Sequence, residues 1–194
     1  MFYKLIFFIC NFFLLAFLFS CQKTEFIDEI VFDNKLLESH NFNAEIKEVN
    51  NLYNVNFEEP FIDHVMKVTP YQRIEQWIDE NLLTFGTSNK LLINVHEASI
   101  KKIELTEDED SKKIIKNKEF IYEVKMILEF ELYNDQNNIL ASTNVKINRT
   151  TTSIEFISIA ERNRLLDAIT LEALKDLSSK SSELLEIHFS EYKI

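Results

Sequence analysis

Between Phe120 and Leu132 every second residue is apolar: Phe120, Tyr122, Val124, Met126, Leu128, Phe130 and Leu132. Glu123, Lys125, Glu129 and Glu131 occupy most of the places between them. A two-residue period fits a pleated strand and no helix, because successive strand side chains point to opposite faces. The stretch commits the chain to a sheet with one buried face and one largely wet face. Leu91 to Leu105 reads as a neighbouring strand. Ile93 and Val95 share one phase there, Ala98 and Ile100 the other, which predicts a bulge near Glu97. Asn134-Asp135-Gln136-Asn137-Asn138 reads as a hairpin loop. Ile139, Ala141, Val145 and Ile147 form the returning strand, which Thr150 to Ile154 can extend. A further strand is expected within Ile46–Asn56, from Ile46, Val49, Leu52, Tyr53 and Val55.

Two segments carry the helical period instead. Thr69-Pro70-Tyr71-Gln72 places Thr at the N-cap, Pro at the first helical position and Gln where it closes a capping box. Ile74, Trp77, Ile78, Leu82 and Phe85 then recur at steps of three and four, and Gly86, the one glycine of the chain, falls where a left-handed residue would end the helix. Ser158-Ile159-Ala160-Glu161 is a second capping box. Leu166, Ile169, Ala173, Leu177, Ser181, Leu184 and His188 follow it as a stripe with no Gly or Pro to interrupt it. Such a helix runs about 45 Å at 1.5 Å per residue, whereas four strands at about 4.8 Å spacing are about 15 to 20 Å wide. The turns beyond Lys180 are therefore expected to overrun the sheet, either projecting as a partner surface or ending frayed or bent. The order β-α-β-β-β-α implies an α+β fold, with an antiparallel or mixed sheet of about four strands and two helices packed on one face.

The N-terminus reads as an address. Lys4 is the one charge before an apolar run from Leu5 to Phe19, interrupted only by Asn11. The run is shorter than the roughly 20 residues that span a bilayer, so it reads as the core of a signal peptide. Leu18-Phe19-Ser20-Cys21 resembles the lipobox of bacterial lipoproteins, with an aliphatic residue, a tolerant position, a small residue and Cys. The resemblance implies cleavage before Cys21 and diacylglyceryl transfer to its thiolate, making Cys21 the lipid-attachment residue. It divides the chain into a signal peptide at 1–20, an acylated N-terminus and tether at 21–40, and a single α/β periplasmic domain at 41–194. Gln22 and Lys23 lack the Asp that retains many such proteins at the inner membrane, which implies the periplasmic face of the outer membrane.

The two cysteines are Cys10, in the removed segment, and Cys21, so the mature domain has no disulfide to staple it. There are 21 Lys and Arg against 32 Asp and Glu, a net charge of −11. That balance excludes a basic nucleic-acid face, and it makes the acyl chains, not a cationic patch, the link to the membrane.

Pro60, Asp63-His64, Pro70, Trp77, Gly86, Ala98, Tyr122 and the stretch from Arg149-Thr150 to Ser158-x-x-Glu161-Arg162 resemble a family of short proteobacterial envelope lipoproteins. The element order is also similar to small periplasmic α/β lipoproteins, including the lipopolysaccharide-assembly lipoprotein that plugs an outer-membrane barrel. That lipoprotein begins Cys-Gly-Phe, where this chain has Cys21-Gln22-Lys23.

Catalytic signatures are missing from the sequence: it holds no Gly-x-Ser-x-Gly, phosphate loop or His-Glu-x-x-His. His40, His64, His96 and His188 are dispersed, without metal-ligand spacing. His64 beside Asp63 and His96 beside Glu97 are the places where an acid–base pair could sit, and both read as structural or surface histidines. Trp77 reads as core. Glu107-Asp108-Glu109-Asp110, followed by Lys112, Lys113, Lys116 and Lys118, reads as a solvated hairpin tip and not a calcium loop. The expectation is a non-enzymatic, lipid-anchored periplasmic module that binds an envelope protein, with no catalytic residue, no metal and no cofactor. The alternative is a periplasmic lipid carrier, which needs an apolar groove between sheet and helices.

Overall fold

A computed structural model describes residues 29–105 and 118–194. The signal peptide, the lipobox with Cys21, the first part of the tether and the acidic tip at Glu107–Asp110 lie outside the described residues. In chain order the elements are β1 (His40–Phe42), β2 (Ile46–Asn51), α1 (Pro70–Asn81), β3 (Leu82–Thr84), β4 (Lys90–Leu105), β5 (Glu119–Tyr133), β6 (Ile139–Ile154) and α2 (Ile159–His188). The fold is α+β, as the sequence predicts.

The main sheet has the order β2-β4-β5-β6. The β4–β5–β6 part is antiparallel, while β2 joins β4 in parallel, so the sheet is mixed. Tyr122, Val124, Met126, Leu128, Phe130 and Leu132 of β5 are all buried on one face. The predicted bulge is present, as a register shift between Val95 and Glu97. It changes which alternate residues of β4 face inward, so that Ile93, Val95, Ala98 and Ile100 all reach the core. The hairpin loop turns at Asn137, whose φ of 60° an asparagine tolerates. The expected strand at Ile46–Asn56 ends at Asn51. Beyond it the chain leaves the sheet, and Phe61 returns to bridge Lys101 on the same edge of β4.

Both capping boxes form. The Thr69 hydroxyl accepts from the Gln72 amide while the Gln72 side chain accepts from the Thr69 amide, and Ser158 and Glu161 repeat this at α2. Ile74, Trp77 and Ile78 of α1 pack on the buried sheet face beside Leu166, Ile169, Ala173, Leu174 and Leu177 of α2.

Two expectations are corrected. First, α1 stops at Asn81, well before Gly86. Leu82 continues into β3 and Phe85 is exposed, so neither extends the helical stripe. Gly86 does not cap the helix, and its φ is not positive. It lies instead against the chain after β1, where an added Cβ would stand 2.6 Å from the Ala44 amide nitrogen. Close backbone approach, not a left-handed turn, requires glycine there. Second, the end of α2 does not project. Leu185 and Phe189 are fully buried, and the last residues pair with β1, with Lys193 bridging Phe42 and the Ile194 amide donating to the Asn41 carbonyl. The inward stripe at this end runs through Ser181 and Leu185, not His188, which is exposed. The residues that follow the helix contact β1 of the small β1–β3 parallel sheet, through Phe189, Lys193 and Ile194.

From Phe32 to Ser39 the chain is a strap against both helices. The Arg73 guanidinium sits 3.7 Å from the centre of the Phe32 ring. The Asn81 amide donates to the carbonyls of Asn34 and Leu37, and the Glu38 amide donates to the Ser178 hydroxyl of α2. This part of the predicted tether is packed on the domain.

Candidate functional site

Three places on the molecule carry chemistry beyond packing. The first is the wet face of the sheet. The Asn50 side chain donates to Asn94 Oδ1 (3.2 Å), and Asn94 donates in turn to Glu129 Oε2 (3.1 Å). His96 Nε2 meets the same carboxylate oxygen at 2.9 Å. The Tyr133 hydroxyl donates to Glu131 (3.0 Å). The bonds from His96 and then Asn94 hold the Glu129 carboxyl below its ordinary pKa. His96 therefore pairs with Glu129 across the ladder. Its sequence neighbour Glu97 turns to the Ser99 hydroxyl and to Lys125. This network stitches β2, β4 and β5 together through Asn94 Oδ1, Glu129 Oε2 and Glu131 Oε2.

The second place is buried. Asp63 sits in the short turn before α1 and accepts from the Tyr53 hydroxyl at 3.1 Å. Among the described residues its Oδ1 has no hydrogen-bond partner. Burial pushes the Asp63 pKa up, opposed by its own amide and then by the Tyr53 bond. His64, read from the sequence as a structural or surface histidine, is exposed, with its ring 5.3 Å from that of Phe57. Nothing local in the sequence marks Tyr53 as the partner.

The third place lies where the two helices begin. A cleft of about 360 Å³ opens between Glu29, Met66, Lys67, Arg73, Arg164 and Asp167. Burial lowers the Arg73 pKa against the opposing charge of Asp167, and burial raises that of Asp167 against the opposing charge of Arg73.

The remaining histidines are apart from these places. His40 is buried against Phe42, and its pKa is pushed down by burial and then by Lys193. His188 is exposed at the end of α2. Trp77 is fully buried, as its place in the α1 stripe predicts. Among the described residues no group of three or more His, Cys, Asp or Glu side chains is placed to hold a metal ion. No helix among them is long and apolar enough to cross a membrane.

No protein-family model matches the chain, and no curated protein sequence matches it. Among solved structures the chain is similar to a Xanthomonas campestris protein of family DUF330, with 11% identity, 79% of this chain and 88% of that one covered, and a TM-score of 0.36. It is also similar to a minor lipoprotein from Acinetobacter baumannii, with 9% identity, 78% and 98% covered, and a TM-score of 0.38. Uncharacterized lipoprotein B from Nitrosomonas europaea is similar at 15% identity, with 84% and 97% covered and a TM-score of 0.35. At such scores no functional property passes from those proteins to this chain.

Proposed function

We propose that this chain is a lipid-anchored lipoprotein of the bacterial envelope, held by Cys21 at the periplasmic face of the outer membrane. There it acts without catalysis, as a module that binds an envelope protein. The observation that carries the reading is the order of charge, apolar run, small residue and Cys that ends at Cys21. Ten residues, 22–31, separate Cys21 from the strap that begins at Phe32 and is packed on α1 and α2. A chain spans at most about 3.6 Å per residue, so an acylated Cys21 would hold the domain within roughly 40 Å of the membrane surface.

The lipid-carrier alternative needs an open apolar space between the layers. Trp77, Met126, Leu128, Phe130 and Leu177 fill that interface and are fully buried, so no observation favours it. Crosslinking in intact cells followed by mass spectrometry tests the binding reading. A recurrent crosslink to one envelope protein is expected. No crosslink, together with substrate turnover by the purified chain, would overturn it.

A further inference from the structure

The edge of the main sheet is formed by β6, a strand of 16 residues with no Pro and no Gly. Among the described residues nothing pairs with its outer side. The phase of the ladder is fixed by the Glu155 amide, which donates to the Lys118 carbonyl at 2.8 Å. Antiparallel bonding alternates along the strand. Odd-numbered residues of β6 therefore bond to β5, and the amides and carbonyls of Asn148, Thr150 and Thr152 face the open edge.

Proteins guard such an edge with charge, Pro, bulges or a covering element. This one is lightly guarded. Thr150-Thr151-Thr152-Ser153 carries no charge. Arg149 is turned back onto α2, where its Nε and one Nη donate to the Asp176 carboxylate. Beside this stretch a groove of about 260 Å³ is floored by Arg149, Thr150 and Thr151 and walled by one face of α2, with Leu165, Ala168, Ile169 and Glu172 at steps of three and four. The charges of the wall are satisfied within the domain, since Glu172 pairs with Lys175 as Arg149 does with Asp176.

We infer that this groove takes an extended, uncharged segment of a partner protein, which adds as a fifth strand on β6 and seats an apolar side chain against Leu165, Ala168 and Ile169. An extended backbone is what an alternating row of free amides and carbonyls recognises, and a flanking apolar groove selects the side chain. Charge decides between occupants. A second copy would bring two chains of net charge −11 edge to edge, whereas a neutral segment matches a wall whose charges are already compensated. The inference deepens the binding-module reading by naming its site and the class of its partner, and it does not depend on the lipid anchor.

The test uses the full chain purified in detergent and a phage-displayed library of random heptapeptides as the probe. Peptides uncharged at their centre are expected to be enriched. Thr150→Pro removes one edge-facing amide, at a position where an edge strand tolerates proline, and Ala168→Glu puts a charge in the groove. Each should weaken a selected synthetic peptide by about tenfold or more, while Thr150→Val leaves binding within about twofold. N-methylation at alternate peptide amides should abolish binding in one phase and spare it in the other. Circular dichroism checks the fold of each variant, and if Thr150→Pro does not fold, Ala168→Glu decides alone. Peptides whose binding ignores the substitutions would overturn the proposal, as would no enrichment over the Ala168→Glu chain. So would a wild-type dimer in sedimentation that Ala168→Glu dissolves, because the edge would then belong to a second copy. Loss of acylation at Cys21 would refute the anchor while leaving this result standing.

Discussion

The Phe189 ring stands edge-on to Phe42, with ring centroids 6.1 Å apart and planes at 82°. One ring follows the end of α2 and the other ends β1, so the contact ties the C-terminal end of α2 to β1. Aromatic pairs in this geometry add about 0.5–1.5 kcal/mol to the area they bury.

Removal of the chain after Lys180 should therefore destroy the core, not trim a projecting end. It deletes Leu185 and Phe189, both fully buried, together with the residues that pair with β1. A buried Leu or Phe lost to Ala costs about 2–5 kcal/mol each, against a total stability of about 5–15 kcal/mol for a typical domain. Thermal melting followed by circular dichroism should show no cooperative transition. A melt within a few degrees of the full chain would mean that these contacts contribute nothing.

At the centre of the sheet, Leu128→Asp should unfold the domain. Leu128 is fully buried on β5, and an unpaired buried charge costs several kcal/mol. A soluble variant with an unchanged melting temperature would show that this face of β5 is not the core face.

Gly86→Ala tests close approach directly. The new Cβ would meet the Ala44 nitrogen and the Asn43 side-chain oxygen, each at 2.6 Å, and the Ala44 backbone cannot swing aside as a flexible side-chain end can. A loss of about 1–3 kcal/mol is expected, the usual cost of overpacking. Denaturant titration checks it, and a stabilised Gly86→Ala would contradict the account.

Asp63 gives a pH signature. Its carboxyl is held above the ordinary value of 3.8 in the folded chain, first by burial, so folding takes up a proton in the window that begins at 3.8 and extends upward. Stability from this group is present below that window and is lost as pH rises through it. Glu129 acts with the opposite sign, because its lowered pKa loses stability as pH falls below the ordinary 4.5. The difference between wild type and Asp63→Asn isolates the Asp63 part, since Asn keeps an oxygen for the Tyr53 hydroxyl. Asp63→Asn should melt higher at pH 7, and the advantage should shrink as pH falls towards 4. An equal offset at every pH would contradict the assignment.

Local signals in the sequence were readable because their partners are near in the chain. The capping boxes join Thr69 to Gln72 and Ser158 to Glu161, three residues apart. The bulge shows as a slip of phase between Val95 and Ala98, and the buried face of β5 as plain alternation. What could not be read depends on distant chain. The three-residue strands His40–Phe42 and Leu82–Thr84 are too short for a period and exist because they pair with each other. Gly86 carries no local sign that it lies against Ala44. The strap at Phe32–Ser39 is mostly polar, and it is ordered by Asn81 and Ser178, far along the sequence. Tyr53 and Asp63, and Arg149 and Asp176, are pairings of the same kind. The β6 groove was missed because an edge is a property of strand order, which no strand's own residues announce.

Metabolic labelling with an alkyne fatty acid tests the central claim most directly, with wild type and Cys21→Ala expressed side by side in a bacterial host. The account predicts a labelled, shortened wild-type protein in the membrane fraction and an unlabelled, uncleaved Cys21→Ala protein. Equal labelling of the two, or a wild-type protein that is neither shortened nor labelled, would contradict it.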